Sequence, residues 1–295
     1  MSIGISKRTN LTYFLFGILY ITEGIHIAVA WVLTPLYLLH INVSPEIVTL
    51  SSGVIMIPWL GKFVYGYVVD SYSSKGRKSF IIYGGLLASL ALICIPLINP
   101  ESSLFGFIIL LFLGQIGIGF LDVSSDAWAI QLSKENQRGK LTGSMTIGLY
   151  LGMFIGSAFL TPLADTMSFP TAYMIGGFLI LPIIGCILFI KEDIISTKKR
   201  YTLKPLIKEL IQKKLLLFLV FLTIISLNSG IISLTVPIYM ELSLGLSVTI
   251  IGVISSIFSI SRAAGSFLFG ALSDIYGRNN TLIAVSYTHL TLPTN

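Results

Sequence analysis

Charge is what this chain has least of. Only 11% of its 295 residues are Asp, Glu, Lys or Arg, against roughly 25% in ordinary globular domains, while 54% are hydrophobic. So few charges cannot cover a water-facing surface, which excludes a soluble globular domain and makes lipid the solvent. Cysteine is nearly absent too. Cys94 and Cys186 both sit inside apolar runs and read as small buried hydrophobes, which excludes a disulfide framework or a thiolate metal site. Histidine metal spacing, a serine elbow and a phosphate-binding glycine loop with a lysine are all missing. Gly114, Gly117 and Gly119 lie inside an apolar run and cannot cradle a nucleotide. These absences argue against an enzyme and against any cofactor or metal.

What is present is a series of long apolar segments. A bilayer-spanning helix needs ~20 mostly apolar residues. Eight segments qualify, at 11–38, 47–69, 79–98, 103–131, 141–163, 170–190, 215–239 and 247–273, and a ninth begins at Leu282 but stops being apolar almost at once. The first run is longer than a ~7–15-residue signal core and no small-residue cleavage site ends it, so it reads as an anchor.

The basic residues are sorted by side. Seventeen of the nineteen lysines and arginines fall at the N-terminus, in the 2–3 and 4–5 loops, in the stretch 191–214 or at Arg278, all on one side if the spans alternate. The loops of the other side carry Glu46, Glu101, Asp165 and Glu241 and no lysine or arginine. The positive-inside rule then places the N-terminus in the cytoplasm, and the net charge of +6 points to membrane topology rather than nucleic acid. Within 191–214, Leu206, Ile207, Leu210 and Ile211 fall at helical spacing, which fits an interfacial helix or an ordinary linker.

A short pattern occurs twice. Gly66-Tyr-Val-Val-Asp70, then Gly76-Arg77-Lys78, returns 204 positions later as Gly270-Ala-Leu-Ser-Asp274 with Gly277-Arg278. The match extends upstream, where Pro35-Leu-Tyr and Val48-Thr-Leu reappear as Pro237-Ile-Tyr and Val248-Thr-Ile. A parallel repeat of this length in a membrane protein is a transporter signature. Each aspartate ends a helix whose C-terminal dipole opposes it, at ~0.3–1 kcal/mol, so Asp70 needs a partner such as Arg77, Lys78 or Arg138.

With these loops the chain resembles the major facilitator superfamily. The second copy of the motif fits that family without gaps; the first has five residues between Asp70 and Gly76 instead of two. Pro58-Trp-Leu-Gly-Lys62, Asp122-Val-Ser-Ser-Asp126-Ala-Trp128 and Glu135-Asn-Gln-Arg138-Gly139 resemble the muropeptide permease, folate–biopterin and acetyl-CoA transporter branch. The resemblance covers residues 11 to about 284. It implies an all-α integral membrane protein of the major facilitator fold, with a complete N-terminal six-helix bundle plus the first two helices of a second. Residues 1–190 would form that bundle, 191–214 a cytoplasmic central loop and 215–285 a partial second bundle. In the family the paired motif (Gly66, Asp70, Gly76, Arg77, Gly270, Asp274, Gly277, Arg278) holds the cytoplasmic side shut, against span eleven in the second bundle.

Charge inside a span costs at least ~2.5–3.5 kcal/mol and marks pathways. Glu23 and His26 in span one, Lys62 in span two, Asp122 and Asp126 in span four, and Arg262 in span eight all qualify. Glu23 with His26, or Asp122, reads as a proton carrier, and Lys62 equally as a structural partner for Asp122 or Asp126. By the resemblance spans one, four and seven line a central cavity, which adds Asn228, the repeat counterpart of His26. Arg262 needs a partner on another helix or a substrate anion. Gly148, Gly152 and Gly156, with Ser144, make a small-residue ridge on span five, expected to face Ser255, Ser259 and Ala263 of span eight.

The resulting expectation is a secondary active transporter moving a polar small solute by alternating access and coupled to protons. The alternative is a transport-inactive membrane receptor or assembly protein of the same fold. It would be a multi-pass protein of a prokaryotic cytoplasmic membrane, monomeric when full length. Residues 286–295 resemble translated vector sequence, and the reading expects divergence near Ser286, a natural protein of about 400 residues, and an unstable, inactive product from this shorter chain.

Overall fold

The computed structural model describes residues 3–4, 9–72, 74, 76–134, 137–192, 212–277, 279–281, 283–284 and 287, with backbone alone at 3, 4, 9, 228, 267, 269–271, 273 and 274. The interfacial helix considered around 206–211 and, Tyr287 apart, the tail from 286 lie outside the described residues.

Eight long helices follow one another among the described residues: α1 (Asn10–His40), α2 (Pro45–Ser71), α3 (Lys78–Ile93), α4 (Leu104–Leu132), α5 (Arg138–Thr166), α6 (Phe169–Leu188), α7 (Lys213–Leu242) and α8 (Val248–Tyr276). Seven are long and apolar enough to cross a bilayer. The exception is α3, where Pro96 helps turn the chain into a short 3-10 segment, Ile95–Leu97. Three helices start on serine caps: Ser103, Ser168 and Ser247 each accept a hydrogen bond from a backbone N–H three residues on.

Proline sets the departures from regular α-helix. Leu33-Thr34-Pro35 in α1 and Leu160-Thr161-Pro162 in α5 each follow a π-helical turn, Val29–Leu33 and Gly156–Leu160. A proline has no N–H and its ring crowds the carbonyl four residues back, so a wider turn ahead of it relieves the clash. In α2 the same problem is solved the opposite way, with Pro58 inside a tightened 3-10 turn, Ile57–Gly61. That turn delivers Trp59 and Lys62 to the same side of the helix.

Helix α1 is enclosed on nearly all sides, and its closest neighbour is α5. The fit depends on backbone meeting backbone. A Cβ on Gly148 would strike the Gly17 carbonyl, one on Gly152 the Ile21 carbonyl, and one on Gly24 the Leu149 carbonyl. The span-five ridge therefore faces α1, which corrects the expectation that it faces α8. Its partners are Gly17 and Gly24, glycines in the matching register. Helix α8 meets α5 along a different strip, where Gly252 sits against Thr161 and Ser157. Asp165 at the end of α5 accepts from the Thr249 hydroxyl at 2.7 Å and so ties the two helices together.

On the other flank α3 packs on α4 and α6, with Gly84 against Gly117 and the Ser89 hydroxyl donating to the Gly177 carbonyl at 2.8 Å. Tyr37, Phe107, Phe169 and Tyr173 close the end of this six-helix bundle that lies away from the basic loops, and Tyr173 donates to Thr34 Oγ1 at 2.9 Å. The outer face is apolar, with Leu60, Phe63, Leu97 and Phe105 all exposed. Helix α7 lies along the outside of the bundle and is exposed over most of its length.

Candidate functional site

Four of the charged residues singled out in the sequence converge between α1, α2 and α4. Lys62 Nζ lies 2.5 Å from Asp122 Oδ2 and 4.4 Å from the centre of the Trp59 ring. Asp122 and Glu23 are both buried, and the charged groups Glu23 faces are Asp122, Lys62 and Asp126. Glu23 Oε2 has no hydrogen-bond partner among the described residues. Trp59 in turn donates from Nε1 to Gln115 Oε1 at 2.9 Å, so the α4 stripe Gln115–Asp122–Asp126 is engaged along its length.

Tyr20, one turn before Glu23, completes the cluster, and it was missed in the sequence. Its hydroxyl lies 2.9 Å from Asp122 Oδ1 and 2.5 Å from Asp126 Oδ1. A phenol has one hydrogen and can donate to only one of these carboxyls. The hydroxyl therefore stands between the two carboxyls and brings them together. Three carboxyl groups thus share one lysine and one phenol, with Glu23 and Asp122 buried. The signal that could have found Tyr20 is its i,i+3 spacing to Glu23.

His26 does not join them. Its Nε2 is 3.1 Å from the Ala88 carbonyl on α3, and its ring packs where a Cβ on Gly114 would stand. Residues three apart on a helix point about 60° away from each other, enough here to aim Glu23 at α2 and His26 at α3. The expectation of a Glu23–His26 pair facing a common cavity is not met.

At the basic end of the bundle, Asp70 pairs with Arg77 across the 2–3 loop, Nη2 to Oδ1 at 3.5 Å. Arg77 Nη1 also donates to Gln131 on α4. Glu192, another residue missed in the sequence, accepts from the backbone N–H of Arg77 at 2.6 Å and of Lys78 at 3.0 Å, so it caps α3 from just beyond α6. Lys78 Nζ returns the tie by donating to the carbonyls of Leu188 and Ile190. Gly76 has φ +85° and sits against the Glu192 carboxylate, where any side chain would be both strained and blocked. Gly66 is not tightly packed, since a Cβ there would meet only Val123 at 3.9 Å. In the second copy Gly277 repeats the φ of +85°, Gly270 and Asp274 are described by backbone alone on α8, and Arg278 lies outside the described residues.

A partly open cleft lies between α1, α5, α7 and α8. Trp31, Ser157, Ser233, Ser255, Phe258 and Arg262 are among its lining, and Glu23, His26, Asp122 and Asp126 are not. Arg262 Nη2 donates to Ser229 at 3.4 Å and Ser233 at 3.2 Å on α7, and no acidic side chain pairs with it among the described residues. The side chain of Asn228 lies outside the described set.

Comparison with known proteins agrees with this architecture. The model of the Major Facilitator Superfamily matches residues 12–292, and the chain belongs to that family. It is 27% identical over 218 residues to the uncharacterized MFS-type transporter YfkF of Bacillus subtilis, covering 72% of this chain and 54% of that protein. It is 24% identical over 182 residues to the probable folate-biopterin transporter 7 of Arabidopsis thaliana, covering 59% and 41%. It is 26% identical over 232 residues to the multi-drug resistance efflux pump PmrA of Streptococcus pneumoniae, covering 76% and 56%. The chain thus spans about half the length of the curated relatives it matches, and the folate–biopterin branch read from Lys62 and the span-four motif is represented among them.

Proposed function

We propose that this chain is part of a secondary transporter that moves a small polar solute by alternating access, with protons as the coupling ion. The observation that carries the coupling is the Tyr20–Glu23–Lys62–Asp122–Asp126 cluster, where three carboxyls meet a single lysine, so that one of them can hold a transferable proton. Losing or gaining that proton changes the net charge of a buried site by one. Such a charge is expensive in lipid, so the two protonation states favour different helix arrangements.

The Asp70–Arg77–Gln131 contact and the Glu192 cap fasten α2, α3, α4 and α6 at one end. In this reading they are the closing contacts of the side that the basic loops assign to the cytoplasm, which also holds the N-terminus. Residues 1–190 act as one bundle, with 215–285 beginning the second. Relatives carrying folate, biopterin and drug names make pterins and amphipathic drugs the first solutes to try.

The test is solute flux in proteoliposomes under an imposed pH gradient, with folate, biopterin and a cationic dye as solutes. Accumulation that follows the gradient and collapses with a protonophore supports the proposal. Stable protein with no flux under any gradient would favour a receptor or assembly role instead.

A further inference from the structure

The guanidinium of Arg262 is placed to take an anion, and we infer that the cleft between α1, α5, α7 and α8 binds a small organic carboxylate with an apolar body. This inference rests on the transporter reading and names the class of solute. A guanidinium carries five N–H donors. Nη2 spends its two on Ser229 and Ser233, at 3.4 and 3.2 Å, which leaves the three on Nε and Nη1 without a protein acceptor among the described residues. The serines are neutral, so they solvate the cation without cancelling its charge. An arginine in mid-span with no counter-charge among the described residues is costly, and an anion entering the cleft would remove that cost.

The rest of the lining fits the remainder of such a molecule. Trp31 and Phe258 offer aromatic faces, and Val32, Val236 and Ile254 add aliphatic ones. Ser233 accepts from Arg262, so its own hydroxyl hydrogen remains available to the same anion, and Ser255 stands in the same wall. A charge-assisted hydrogen bond at one end of an apolar cleft selects a carboxylate over its neutral amide.

The experiment uses the full chain in phosphatidylcholine nanodiscs, with benzoate and benzamide as probes and both fluorescence and thermal melting as readouts. Benzoate is expected to perturb tryptophan fluorescence saturably and raise the melting temperature, with benzamide at least tenfold weaker. Arg262→Gln should weaken benzoate on the order of 10- to 100-fold while leaving benzamide unchanged. Equal binding of the two probes, or unaltered benzoate binding by Arg262→Gln, overturns the inference. So does a wild-type protein that ignores benzoate. If that protein is stabilised by phosphatidylglycerol in an Arg262-dependent way, the anion is a lipid phosphate instead. The measurements involve no flux. Benzoate binding without transport sinks only the transporter reading, and transport with Arg262→Gln binding normally sinks only this one.

Discussion

Lys62 on α2 reaches across to Asp122 on α4, with Nζ 2.5 Å from Oδ2, and faces three carboxyl groups. The Lys62 side chain is 42% exposed and that of Asp122 3%, so the two ends of the pair are not equivalent. The lysine can turn outward when its partner is lost, but the aspartate has nowhere to go.

Removing the cation should therefore cost more than removing its partner. Lys62→Met is expected to lower the melting temperature of the detergent-solubilised protein further than Asp122→Asn does. The double substitution should recover much of the loss, with a coupling of about 1–3 kcal/mol. Equal, additive losses would show that the pair contributes no more than two independent side chains.

Glu23 offers a separate test of coupling. It is buried, it lacks a partner at Oε2 among the described residues, and it faces the Lys62–Asp122 pair. Glu23→Gln keeps the shape and removes the titratable group. Proton-driven accumulation should be abolished while solute exchange across the membrane remains measurable. A variant that still accumulates solute against its gradient would move the carrier role to Asp122.

Much of this was legible in the chain itself, and the limits are physical. Run length marked eight helices, because lipid imposes one scale on each; seven are long enough to cross, and α3, expected over 79–98, ends at Ile93 and falls short. The Asp70–Arg77 contact followed from the repeated loop, since its two ends are close in sequence. The choice of neighbours did not follow. Four-residue glycine spacing marks Gly148, Gly152 and Gly156 as a ridge, but only the register of Gly17 and Gly24 decides that α1 fills it. Tyr20 was missed because a tyrosine in an apolar run also serves as packing, and its acceptors stand more than 100 residues away. Glu192 sits in a stretch where basic residues dominate, and its role depends on where α6 ends relative to the start of α3.

The α1–α5 contact predicts a position-dependent response along one helix. Gly148→Ala would drive a methyl into the Gly17 carbonyl, and overpacking of this kind costs about 1–3 kcal/mol. Gly143 lies on the same helix, and a methyl there would meet nothing within 4 Å. Gly143→Ala should be neutral or stabilising by up to about 1 kcal/mol, through helix propensity alone. Thermal melts of the two variants side by side decide it. Similar behaviour would mean the helices are further apart than the structure places them.

The cap on α3 gives the last prediction. Glu192 accepts from the backbone N–H of Arg77, the residue before that helix, and of Lys78, its first residue, and stands beside Gly76, so one carboxylate joins the 2–3 loop to the end of α6. Helix N-termini favour negative charge, and losing a cap costs about 0.5–2 kcal/mol. Glu192→Ala should therefore speed amide exchange at Arg77, Lys78 and the turn that follows, and leave the opposite end of α3, near Leu92, unchanged. Glu192→Gln keeps an acceptor oxygen but loses the charge, so its effect should fall between wild type and alanine. Gly76→Ala should disturb the same amides by another route, because φ +85° strains an alanine and its methyl would meet the carboxylate. Combining Gly76→Ala with Glu192→Ala removes the collision but not the strain. The double variant should then lose less than the sum of the two single losses, and full additivity would place the glycine and the glutamate out of contact.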